Sequence, residues 1–284
     1  NTLEIHPEDI GYKAIANDII EDWLTSMDDN TRHIKTILTE DWFKAGNDWY
    51  DFAVGVQGIV ETIALIIITL IFLVEFLKIT IRMDVLKWEF LLKCFFKLVF
   101  AKVCIDISAD LLSAIYTTGV EWIDGVANRG GDAGALIWDA VETKISGMGM
   151  LALLGFFISS GIMFLVMWVI SLVVEVIAYA RKFELTIYTA IAPLPCAFLP
   201  SEDGGNRIAK KFFLSFSAIC LQGMFMMMSL KLHGLLIEKT IEKAIDRGEP
   251  LTTVIGEALL CTIVMVMAVI KSGGWAKNVL DVAG

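Results

Sequence analysis

Apolar positions in this chain gather into long unbroken runs. The plainest, Val56 to Leu77, is about 22 residues and roughly 33 Å as an α-helix, enough to cross a hydrocarbon layer of ~30 Å. Similar runs predict spans near 94–120, 148–180, 212–231 and 251–270. The run from Met148 to Ala180, about 33 residues or roughly 50 Å, is expected to tilt or to project past the membrane towards Glu175, Tyr179 and Arg181. Gly155, Ser159 and Gly161 give it a small-residue face for close helix contact. Ahead of the first span, residues 1–55 are polar and carry two helical stripes. The first is Ile10, Ala14, Trp23, Leu24 and Met27, and the second is Ile34, Leu38, Trp42, Ala45, Trp49 and Phe52. Neither is apolar enough to span, so these helices are expected to lie on the membrane's outer face or against a partner. Trp42, Trp49 and Tyr50 suit an aromatic belt at the membrane entry. The expected organisation is an outer amphipathic helical region, 1–55, followed by a transmembrane helical domain, 56–284. The fold class is all-α and polytopic, with about five transmembrane helices.

One apolar run differs from the rest. Phe183 to Pro200, about eighteen residues, is long enough in count to cross a bilayer, but Pro193, Pro195 and Pro200 remove backbone donors and break a helix. Arg181 and Lys182 precede it, and Arg207, Lys210 and Lys211 follow it. Short loops rich in Lys and Arg stay cytoplasmic, so both ends are expected on one side. A broken segment is tolerated at membrane depth only where neighbouring helices or a water-filled cavity satisfy its carbonyls. Residues 183–200 are therefore read as re-entrant or interfacial. In the loop that follows, SEDGGNR, Gly204 and Gly205 suit positive φ.

The 94–120 span is unusual in its charge. Lys102, Asp106, Asp110, Ser113 and Thr117 recur every three or four residues and form one polar stripe, within which Lys102 and Asp106 can pair. A charge at mid-bilayer costs at least ~2.5 kcal/mol on insertion scales. The stripe is expected to face other helices, another subunit or water, either as a paired packing seam or as a hydrated pathway.

Composition supports a membrane protein, with 56% hydrophobic residues and 20% charged. The net charge of −10 argues against a nucleic-acid-binding module, although local basic patches remain. Cys94, Cys104, Cys196, Cys220 and Cys261 lie singly inside apolar runs and read as small core residues, not zinc ligands or disulfides. His6, His33 and His233 are too dispersed to suggest a metal site, and His233 receives no role. Met224, Met226, Met227 and Met228 read as flexible core filling. There is no H-E-x-x-H, no G-x-S-x-G, no Walker A loop and no G-x-G-x-x-G. No catalytic, cofactor-binding or metal residue is expected, and no cofactor beyond bound lipid. The start of the chain has no basic n-region and apolar h-region, so no cleavable signal peptide is expected.

Glu121 to Ile145 reads as a Gly- and acid-containing outer loop, and residues 236–250 as a charged helix ended by Gly248 and Pro250. Lys78, Arg82, Lys87 and Lys93 follow the first span, and Lys271 and Lys277 follow the last. That bias places the N-terminus outside and the C-terminus in the cytoplasm.

The run FELTIYTAIAPLPCAFLP, a short Gly-containing loop and RIAKKFFLSFSAICLQG carry a further signal. They resemble the TrbL (VirB-six) family of conjugal transfer proteins, the polytopic inner-membrane subunits of type IV secretion systems, especially the short Gram-positive forms. The resemblance covers Met148 to Ile270 and is most specific in the APLP break, KKFF and LQG. Carried onto this sequence, the motif positions are Glu184, Pro193, Pro195, Lys210, Lys211, Gln222 and Gly223. The resemblance implies a multi-pass protein of the bacterial cytoplasmic membrane, a channel component that moves DNA or protein substrates from donor cells. It also implies a homo-oligomer assembled with other type IV secretion subunits and driven by separate ATPases. Longer relatives carry a large central loop, whereas Glu121 to Ile145 is short. The basic loop Arg207 to Lys211 either receives a polyanionic strand or an acidic partner, or only sets topology. The competing reading is a small-solute or ion transporter using Lys102, Asp106 and Asp110, and an intramembrane enzyme ranks third.

Overall fold

The computed structural model describes residues 7–81, 88–129, 149–201 and 205–282. Among these, eight helices follow one another and there is no strand: α1 (Pro7–Thr39), α2 (Asp48–Ile81), α3 (Trp88–Asp106), α4 (Ser108–Ala127), α5 (Met150–Ile191), α6 (Pro193–Ala197), α7 (Gly205–Asp246) and α8 (Leu251–Val279). Arg82 and Lys87 of the expected cytoplasmic loop, residues 130–145 of the expected outer loop, Gly204, and the side chains of Ile10, Trp23, Leu24 and Met27 lie outside the described residues.

Four stretches are long and apolar enough to cross a membrane: Asp48–Lys78, Leu154–Ala197, Gly205–Ala244 and Thr252–Val279. The chain is an all-α polytopic membrane protein. On α2, Ile59, Ile63, Ile66, Leu70 and Leu73 are exposed at helical spacing. On α5, Leu154, Ile158, Ile162, Leu165, Trp168 and Leu172 do the same. Such continuous apolar faces suit contact with lipid or with another apolar helix.

Element boundaries depart from the sequence expectation where local chemistry sets them. The Asn47 side chain accepts from the Trp49 N–H at 3.1 Å and caps α2, while Asp48 and Asp51 in its first turn favour the positive end of the helix dipole. Trp49 and Phe52 therefore belong to the first apolar helix and not to a surface helix ahead of it. The expected 94–120 span divides at Ile107 into α3 and α4. The backbone ladder nonetheless continues through the division, from Ile107 N–H to Val103 O and from Leu111 N–H to Ile107 O, both 3.0 Å. Neither piece is among the four apolar stretches, because its charges dilute it. Helix α4 runs on to Ala127, so the start of the expected outer loop is helical. Helix α7 joins the 212–231 span and the charged segment after it into 42 residues. It ends at Asp246 and is closed by Gly248, where φ is +72° and the Glu249 N–H reaches back to Ala244 O at 3.1 Å, a glycine-type C-cap.

Packing separates two compact units. One comprises Asn1–Thr39, Ile123–Ala178 and Met224–Ser272, and the other Glu40–Trp122, Tyr179–Gly223 and Gly273–Gly284. The first is built around Ile34, Ile37 and Leu38 of α1, Ile170 and Val174 of α5, Met226, Met227 and Leu230 of α7, and Val269 of α8. The second holds two clusters. One gathers Trp42, Leu112, Tyr116, Leu185 and Phe216, and the other Ala64, Ile68, Ala101, Ile105, Cys196 and Ala197.

Candidate functional site

The second unit contains the proline break. Helix α5 stays intact to Ile191, because Pro193 disturbs only the residue before it and the turn whose carbonyl it can no longer serve. The expected broken segment therefore shrinks from 183–200 to its second half. There the backbone changes to three-residue hydrogen bonds: Ala192 N–H to Thr189 O at 3.4 Å, Phe198 to Pro195 at 3.2 Å, Leu199 to Cys196 at 3.1 Å and Ser201 to Phe198 at 3.1 Å. These satisfy carbonyls that the prolines would leave bare. The one-turn helix α6 packs on α2 and α3, with Pro193, Pro195, Cys196 and Ala197 buried. Its neighbours Ala64 and Ile68 stand in the middle of the apolar run of α2, and Ala101 and Ile105 face it from α3. Small side chains on all three helices let their backbones approach closely.

Gly205, the first residue of α7, meets this turn directly. A Cβ added there would overlap the Phe198 carbonyl oxygen and come within 2.8 Å of Ser201 Cβ, so only glycine fits. Its requirement is close approach, not the positive φ expected from sequence. A second close approach joins α4 and α7, where a Cβ on Gly119 would lie 3.0 Å from Cys220 Cβ.

Arg181 and Lys182 lie inside α5, not at the end of a span, and are only 3% and 8% exposed. Arg181 Nε donates to Ile219 O at 2.9 Å, and its guanidinium carbon stands 6.0 Å from the Tyr116 ring centre. Lys182 forms an ion pair with Glu40. The Tyr116 hydroxyl donates to the Glu40 backbone oxygen at 2.6 Å. Glu40, in the turn between α1 and α2, thus engages α4 through its main chain and α5 through its carboxylate. Buried cations are tolerated because each has a specific acceptor. Trp49 closes the arrangement edge-on against Phe183, 5.1 Å between ring centres.

The polar stripe lies on the other side of α3 and α4. Lys102 pairs with Asp106 and stands 3.8 Å from Glu61 of α2. Asp106, Asp110 and Thr117 are exposed, and Lys102 and Ser113 are half-buried. The buried seam of these helices is Ala101, Ile105, Ser108, Leu112 and Tyr116. In that seam, Ser108 accepts from the Gln57 side-chain amide at 3.1 Å and donates to Ile105 O at 2.8 Å. Within one chain, then, the stripe is an outer polar face. Glu184 is exposed, as are Arg207, Lys210 and Lys211 on the opening turns of α7. Gln222 packs on Gly273, where a Cβ would stand 3.3 Å from its amide nitrogen. Sequence reasoning missed Glu40, Glu61 and Tyr116. Their partners are remote in sequence, and only the Arg181–Lys182 pair stood out. Among the described residues, no group of three or more His, Cys, Asp or Glu side chains is arranged to hold a metal ion.

Residues 55–193 match the family model described as TrbL/VirB6 plasmid conjugal transfer like protein. Those residues, just under half of the chain, are similar to that family. No curated protein and no solved structure matches the chain. The matched region begins within α2, takes in α3, α4 and α5, and ends at Pro193 where the backbone turns. It includes the polar stripe, Arg181, Glu184 and Pro193. Pro195, Lys210, Lys211, Gln222 and Gly223 lie beyond it, so the match overlaps the resemblance read from Met148 to Ile270 only up to Pro193.

Proposed function

We propose that this chain belongs to the TrbL/VirB6 family and is a channel or scaffold subunit of a type IV secretion machine. In this reading it takes part in moving DNA or protein across a bacterial cytoplasmic membrane during conjugal transfer. The observation that carries the reading is the family match over residues 55–193, which takes in the exposed apolar faces of α2 and α5. The role is structural and conducting, with energy supplied by separate ATPases of the same machine. The outer stripe Lys102, Asp106, Asp110, Ser113 and Thr117 suits a surface turned to another subunit, including a second copy of this chain, or to water, because lipid would penalise its carboxylates. Exposed Arg207, Lys210 and Lys211 suit an acidic partner or a nucleic-acid strand on the cytoplasmic side, with the N-terminus outside.

Co-isolation tests the assignment. A tagged chain solubilised from membranes of cells carrying a complete transfer machinery should bring down other transfer subunits. Recovery of the tagged chain free of every such subunit would contradict it. A solute transporter would instead move protons or small ions in vesicles containing this chain alone.

A further inference from the structure

The first unit contains a cavity of about 50 Å³ that the reading above does not use. Asn30 and His33 of α1, Ser171 and Glu175 of α5 and His233 of α7 line it, over an apolar floor that includes Met167. The hydrogen bonds of its lining residues leave acceptor atoms on Asn30 and His233 without a described donor. Thr262 donates its hydroxyl hydrogen to Ala258 O at 2.9 Å, so in its 3.1 Å contact with His233 Nε2 it must accept. The neutral His233 ring therefore carries its proton on Nε2 and presents Nδ1 as a bare acceptor. His233 is only 6% exposed, and no described residue donates to that nitrogen. The Asn30 amide N–H donates to Ser171 Oγ at 2.8 Å, which leaves the Asn30 carbonyl oxygen. Glu175 contributes a half-exposed carboxylate, 3.5 Å from His33 Nε2, too far for a strong hydrogen bond.

An imidazole nitrogen, an amide oxygen and a carboxylate around one small space ask for a cation with several N–H donors. The imidazoles and the carboxylate do not converge as a metal-binding group. An ammonium reaches acceptors at hydrogen-bond distance, longer than the ~2.0–2.2 Å of a zinc shell, and its carbon stub would rest on the apolar floor. We propose that this cavity binds a primary ammonium group, carried either by a small free amine or by the ethanolamine headgroup of a phospholipid.

The test uses the full chain purified in detergent and titrated with methylammonium chloride. Tetramethylammonium chloride, which has no N–H donor, serves as the control at equal ionic strength. Methylammonium should raise the unfolding temperature saturably and tetramethylammonium should not. Glu175→Gln should weaken the half-saturating concentration about tenfold, as loss of one charge-assisted hydrogen bond does. Should that variant fail to fold, the comparison of the two cations on the unaltered chain decides alone. Native mass spectrometry after reconstitution separates the sources. Selective retention of phosphatidylethanolamine over phosphatidylcholine assigns a lipid headgroup, and a methylammonium response without it assigns a free amine. Equal responses to the two cations, no response to either, or an unchanged response in Glu175→Gln would overturn the proposal.

Discussion

Gly205 stands against the carbonyl oxygen of Phe198 so closely that no side chain can be placed on it. The contact seats α7 on the turn that follows the proline break. Gly205→Ala should therefore force the turn open and destabilise the protein by about 3 kcal/mol or more, the upper end of overpacking costs. Gly273→Ala is the comparison, since its Cβ would meet only the flexible end of Gln222 at 3.3 Å. Thermal unfolding in detergent should rank the two variants in that order.

Lys182 is almost fully buried and Glu40 is its acidic partner. Glu40→Gln leaves an ammonium without its counter-charge and should cost about 1–3 kcal/mol, below the 3–5 kcal/mol of a fully buried pair because Glu40 itself is partly exposed. Lys182→Met in the same background should recover most of that loss by removing the stranded charge and keeping the stem. A double-mutant cycle by denaturation checks this. Additive losses would mean that the two side chains do not interact.

Tyr116 holds the Glu40 main chain through one hydroxyl, at 2.6 Å. Tyr116→Phe keeps the ring under Arg181 and removes only that bond, so about 1 kcal/mol of stability should go. Limited proteolysis should then cut more readily between α1 and α2.

The outer stripe gives the opposite expectation. Asp110 is exposed, so Asp110→Asn should change stability by less than about 0.5 kcal/mol. If the stripe meets another subunit or a hydrated path, transfer efficiency from donor cells should nonetheless fall. Unchanged transfer together with unchanged stability would remove the stripe from the mechanism.

Much of the architecture was legible because long apolar runs leave few alternatives: spanning helices, a break at Pro193 and the Lys102–Asp106 pair all follow from spacing. Helix length was less legible. Arg181 and Lys182 looked like a helix end because cations usually mark one, yet Glu40, Ile219 O and the Tyr116 ring accommodate them inside α5. That arrangement depends on residues far apart in sequence, which periodicity cannot pair. The stripe was found, but its direction was not. A helix with polar residues on one side and Ala101, Ile105 and Leu112 on another buries whichever side meets its neighbours, and here that is the apolar one. His233 carried no signal at all, since its environment is made by Thr262 on another helix.

Transfer frequency from donor cells tests the central claim most directly. Deleting the gene for this chain from an otherwise intact conjugative element should abolish detectable DNA transfer, and supplying the unaltered chain in trans should restore it while Gly205→Ala should not. Transfer at the parental frequency in the deletion strain would contradict the account.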